Sequence, residues 1–147
     1  MDKIRHVGIH TKNPRATADF FIDAFGMIEV AFGEDDDWGI ISDGYVNLTL
    51  LGFEVDRYGG GYSGLHHIGF HVDNLDETHQ KILDSAGSEC SSWNEEYGND
   101  EGTPDNWVGE KKYMDPGGIA LDINPSGWLI RPGGERGEGD VPKGLDN

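Results

Sequence analysis

The chain has 147 residues, 35% of them hydrophobic, and its 28 acidic against 11 basic side chains leave a formal charge of −17. A single domain is the expectation for that length, no apolar run approaches the roughly 18 residues of a membrane span, and the acidic excess argues against nucleic acid or an anionic membrane as partner. Cys90 is the one cysteine, so an internal disulfide is excluded, and with no secretory-type leader pattern at the start a cytoplasmic location is expected.

The chain opens with IRHVGIHT (4–11), whose β-branched alternation predicts a strand. Ile4, His6, Gly8 and His10 share one side of it, Val7 and Ile9 the other. NPRATADFFIDAFG (13–26) predicts a helix with Asn13 as cap, Pro14 in the first turn, Ala18, Phe21, Ile22 and Phe25 turned inward and Gly26 as the stop. Three strand-like runs follow, MIEVAFG, WGIISDG and YVNLTLLGF; in the last, Val46, Leu48 and Leu50 form an apolar side and Asn47 and Thr49 face away from it.

DRYGGGYSG (56–64) reads as a flexible joint. LHHIGFHV (65–72) is again a strand, with Leu65, His67, Gly69 and His71 on one side; His66, Ile68, Phe70 and Val72 take the other, His66 at its solvent edge. NLDETHQKILDSAG (74–87) is a second helix, with Leu75, Ile82 and Ala86 inward and Gly87 at its end. A polar insertion spans 91–109, of a length usually found in lids or mobile segments. GIALDINPS is the last strand, with Leu121 and Ile123 on the apolar side and Ala120, Asp122 and Asn124 opposite; from Arg131 to the end Gly, Pro and charge predict a flexible tail.

Sliding the chain on itself by 61 residues sets His6 on His67, Gly8 on Gly69, His10 on His71, Asn13 on Asn74 and Gly26 on Gly87. The chain is therefore read as an α+β domain over 1–130, made of two βαβββ modules (4–55 and 65–128). One strand at each end of each module places a polar group on the side away from its helix: His6, Asn47, His67 and Asp122. A carboxylate buried beside two imidazoles is costly unless a cation pairs with it. Two histidines and one carboxylate are the donor set of non-haem iron, and zinc, manganese, nickel or cobalt also suit it.

IRHVGIHTKNP, YVNLTLL, HHIGFHVDNLDE and DPGGIALDI together resemble the vicinal oxygen chelate superfamily, which includes glyoxalase I, methylmalonyl-CoA epimerase, fosfomycin resistance proteins and extradiol dioxygenases. The resemblance implies a cup-shaped mixed sheet with the helices outside and a divalent metal ion at His6, Asn47, His67 and Asp122. It also implies a small substrate chelated through two neighbouring oxygens, and a homodimer. Asn47 stands where glyoxalase I has a glutamate, and is closer to the glutamine of the epimerases; it is read as a weak neutral ligand or an outer hydrogen-bond partner. Asp122 stands where the last ligand is commonly glutamate. His10 and His71 share the ligand faces and are the candidate catalytic bases. An isomerase or lyase is the leading expectation and a ring-cleaving dioxygenase the second. A metal-free binding protein of the bleomycin-resistance type is the third, and the presence of both His6 and His67 argues against it.

Overall fold

The computed structural model describes residues 1–53, 62–90 and 110–135. Most of the expected joint, the 91–109 insertion and the tail beyond residue 135 lie outside the described residues. The elements run β1 (Lys3–Thr11), α1 (Pro14–Phe25), β2 (Ile28–Phe32), β3 (Trp38–Ser42), β4 (Asn47–Gly52), β5 (Gly64–His71), α2 (Leu75–Asp84), β6 (Ser88–Glu89), β7 (Lys111–Met114) and β8 (Ala120–Asn124). This is βαβββ twice, as the internal repeat requires. Among the described residues no helix is long and apolar enough to cross a membrane.

The eight strands among the described residues form one mixed sheet in the order β2-β3-β4-β1-β5-β8-β7-β6. The opening strands of the two modules, β1 and β5, pair antiparallel at its centre. Each also pairs parallel with the closing strand of its own module, β1 with β4 and β5 with β8. The four strands that carry the predicted polar positions are thus neighbours within one chain.

Local chemistry explains the helices. Asn13 Oδ1 accepts from the Ala16 N–H at 3.0 Å, a cap worth about 1 kcal/mol, and Gly26 adopts φ 71° to end α1 with its N–H on Ile22 O. Ala18 is buried against Ile41 and Leu50, with Ile9, Phe21, Ile22 and Leu48 around them. Phe25, expected inward, is 69% exposed and lies against Phe20 and Phe21. The left-handed turn at Gly26 reverses the chain and brings Met27 into that core instead.

The second helix ends earlier than expected, at Asp84. Ala86 takes the left-handed turn (φ 64°), with its N–H on Leu83 O and the Gly87 N–H on Ile82 O. Ala86 is therefore exposed rather than inward. Gly87 is required one step later, because a Cβ there would lie 2.9 Å from Ile82 O. Leu75 and Ile82 do pack inward, against Val72, Tyr113 and Ile123.

Strand alternation holds across the middle of the sheet. Ile9, Leu48 and Leu50 meet α1, while Phe70, Val72, Leu121 and Ile123 form the core under α2, which sends His6, Asn47, His67 and Asp122 to the opposite face. The β1–β5 register shifts twice, skipping Arg5 between Ile4 and His6 and His66 between Leu65 and His67. The second bulge corrects the expectation for His66: the extra residue leaves the alternation, and its ring lies against His67 and His10 instead of on the helix side.

Candidate metal centre

His6 from β1, His67 from β5 and Asp122 from β8 each bring one ligand atom within 4.8 Å of the others. His6 Nε2 stands 2.7 Å from His67 Nε2, and His67 Nε2 stands 3.1 Å from Asp122 Oδ2. All three side chains are buried. The repeat makes room for them reciprocally. A Cβ on Gly8 would collide with the His67 ring, and one on Gly69 would lie 2.8 Å from His6 Cβ and 2.9 Å from Trp128 Cη2. Each module's glycine clears space for the other module's histidine.

Asn47 determines which nitrogen of His6 is unprotonated. Its Nδ2 donates to Leu129 O at 3.0 Å, and since a carbonyl only accepts, the amide orientation is fixed. Oδ1 therefore faces His6 Nδ1 at 2.6 Å, so Nδ1 carries the proton and Nε2 offers a lone pair toward His67 and Asp122. Thr49 Oγ1 donates to the same amide oxygen at 3.3 Å. Burial, reinforced by His67, pulls the His6 imidazole down to about 3, leaving it neutral near pH 7. Asn47 thus stands behind His6, in the place of an outer hydrogen-bond partner.

Asp122 is divided between two neighbours. Its Oδ1 accepts from Lys112 Nζ at 2.8 Å, and the same ammonium reaches Glu110 Oε1 at 2.9 Å. Burial works to raise the Asp122 carboxyl, but His67 and Lys112 outweigh it and hold the group well below the usual carboxylate range. Burial likewise opposes the Lys112 charge, and Asp122 and Glu110 more than restore it. Oδ2 is different: it is buried and has no hydrogen-bond partner among the described residues, and its ion-pair contact is His67 Nε2 at 3.1 Å.

Around this core the rings form a row. His66 Nδ1 lies 2.6 Å from His67 Nδ1, and fully buried His10 has its ring centroid 4.6 Å from that of His66 and 5.7 Å from that of Tyr62. On the other side Trp128 stacks on His6 at 4.8 Å and 8°. His10 therefore reaches the cluster by way of His66. His71 does not join it; its Nε2–H donates to Pro125 O at 3.0 Å, and Lys3 is its cross-strand neighbour. Lys112, Glu110 and Trp128 escaped the sequence reading. The apolar WLI at 128–130, followed at once by glycine and charge, was the available signal for Trp128.

A model of the Glyoxalase/Bleomycin resistance protein/Dioxygenase superfamily matches residues 3–123. The chain belongs to this superfamily. Among curated proteins none matches the sequence significantly. Solved structures of the superfamily fold are similar at low identity. A hypothetical protein from Bacillus halodurans has a TM-score of 0.57 at 15% identity, over 83% of this chain and 92% of that one. A methylmalonyl-CoA epimerase variant from Streptomyces coelicolor has a TM-score of 0.51 at 19% identity, over 82% and 92%. A catechol 2,3-dioxygenase has a TM-score of 0.55 at 22% identity, and there the match takes 82% of this chain but 40% of the other.

A divalent ion fits the residues of this superfamily member. Two ligands each about 2.1 Å from one ion are at most about 4.2 Å apart; the 2.7 and 3.1 Å pairs lie inside that limit, and the three atoms together lie within 4.8 Å, so the His6–Asp122 pair must close a little to share an ion. The donor set holds a neutral imidazole whose unprotonated Nε2 is in hydrogen-bond contact with His67 Nε2, that second imidazole, and a carboxylate oxygen with no hydrogen-bond partner among the described residues.

Proposed function

We propose that this superfamily member is a divalent-metal-dependent enzyme of the isomerase or lyase type, acting on a small molecule that presents two neighbouring oxygens. The observation that carries the reading is Asp122 Oδ2, a buried carboxylate oxygen with no hydrogen-bond partner among the described residues, set beside His6 Nε2 and His67 Nε2. His6, His67 and Asp122 would hold the ion, with Fe, Zn, Mn, Ni and Co all compatible with the donor set. Bound there, the ion supplies Lewis acidity to a chelated substrate.

The remaining roles belong to the chain. Asn47 and His66 orient the two histidines, and an outer partner of this kind fixes tautomer and ring position. Trp128 walls the site beside His6 and presents an aromatic face. His10 is the base on this side of the sheet, aligned through His66, whereas His71 is tied to Pro125 at the other end. A proton taken from carbon adjacent to the chelated oxygens would go to His10.

Ring cleavage is the second reading, favoured by the two-histidine, one-carboxylate set. The chain matches 40% of the catechol dioxygenase chain and 92% of the epimerase chain, which supports the first. Elemental analysis of protein purified without chelator is the test: close to one divalent ion per chain is expected, and a metal-free protein would point to ligand sequestration. Oxygen consumption with catechols would move the assignment to the second reading. A homodimer is expected in solution, and light scattering at the mass of a single chain would reject it.

A further inference from the structure

Lys112 and Glu110 hold no ion in the proposed site, yet they bury two further charges beside it. Lys112 is the cross-strand partner of Asp122 between β7 and β8. Its Nζ bridges Asp122 Oδ1 and Glu110 Oε1 at 2.8 and 2.9 Å, and none of the three residues is more than 9% exposed. A carboxylate next to an ion binds through one oxygen or through both, and the second mode uses a coordination position that a chelating substrate needs. Resting on the metal site argued above, we propose that Lys112, anchored by Glu110, is a positioning residue: it keeps Asp122 Oδ1 engaged, so that Asp122 binds the ion through Oδ2 alone and a position stays open for the second substrate oxygen.

The charges support this arrangement. Burial and the neighbouring Asp122 push the Glu110 carboxyl up while Lys112 opposes them; with Glu110 ionised the pair is neutral, and it adds direction to Asp122 without adding net charge to the two imidazoles and one carboxylate that would face the ion. Asp122 Oδ1 cannot turn to the ion without leaving a buried ammonium short of a partner. Glu110 keeps that ammonium in place.

The test uses Co(II) as the ion, read by its visible absorption, and oxalate as a bidentate oxygen probe. Changing Lys112→Met together with Glu110→Gln removes both charges at once, so neither is left buried alone. The double variant is expected to bind Co(II) with altered absorption bands, as Asp122 closes on the ion through both oxygens, and to bind oxalate on the order of tenfold more weakly. Glu110→Gln alone, a milder change, should move both readouts in the same direction, whereas Lys112→Arg should keep the wild-type spectrum. Wild-type bands and oxalate affinity in the double variant would overturn the positioning role and leave the metal site standing. A wild-type protein that takes up no Co(II) would overturn the metal site itself, and this inference with it.

Discussion

Asn47 grips His6 from behind, accepting from Nδ1 at 2.6 Å while its own Nδ2 is committed to Leu129 O at 3.0 Å. The amide therefore sets the tautomer that leaves His6 Nε2 unprotonated and facing His67 Nε2. Asn47→Ala should weaken metal binding by roughly 10 to 100-fold, the range for outer partners of metal-bound histidines. Asn47→Glu should tighten it, since a carboxylate makes a stronger acceptor for Nδ1–H and a more basic imidazole. Metal titrations of the three proteins check both; a glutamate variant no tighter than wild type would contradict the role assigned to position 47.

His67 is packed against a glycine that has no substitute. Gly8→Ala would drive a methyl group into the His67 ring, at an overpacking cost of about 1 to 3 kcal/mol, and should expel metal much as His67→Ala does. Denaturant melts and elemental analysis of both variants separate the effects: His67→Ala should lose the ion, and Gly8→Ala should lose the ion and stability together.

Trp128 stacks on His6 with its ring nearly parallel, so its emission should respond when His6 Nε2 takes up an ion. Tryptophan fluorescence is expected to change on metal addition, and Trp128→Phe should abolish that change while leaving metal stoichiometry near one. An undiminished response in the variant would assign the signal to another of the 4 tryptophans.

Tyr113 predicts the alkaline limit of the fold. Burial, with Glu89 and Asp76 adding to it, pushes the phenol up to about 12, and its oxygen lies 2.6 Å from His79 Nδ1. Below about pH 10 both the folded and the unfolded chain keep this proton, and stability is unaffected. Between about 10 and 12 only the unfolded chain loses it, so stability falls as pH rises through that window. Urea unfolding at pH 9 and pH 11.5 should show that decline in the wild type, and Tyr113→Phe should lessen it.

The sequence by itself determined the two-module architecture and the face on which the polar residues lie. Asn13 and Asn74 cap helices at matched positions, and alternation in β1, β4, β5 and β8 sorts apolar from polar side chains, because both signals act within a few residues of chain. His6, His67 and Asp122 were legible for that reason. What alternation could not show was where it breaks. The bulge at His66 depends on how β5 meets β1, and pairing between strands sixty residues apart is a tertiary property. Lys112 was partly within reach, since counting back from the DPGG turn pairs it with Asp122, but only packing decided that its ammonium would be buried with Glu110. Trp128 and the Leu129 carbonyl reach His6 and Asn47 because the chain after β8 folds back over the sheet. The repeat pointed to the candidate ligands; the tertiary structure chose their partners, because hydrogen bonds and ring contacts join side chains by distance in space.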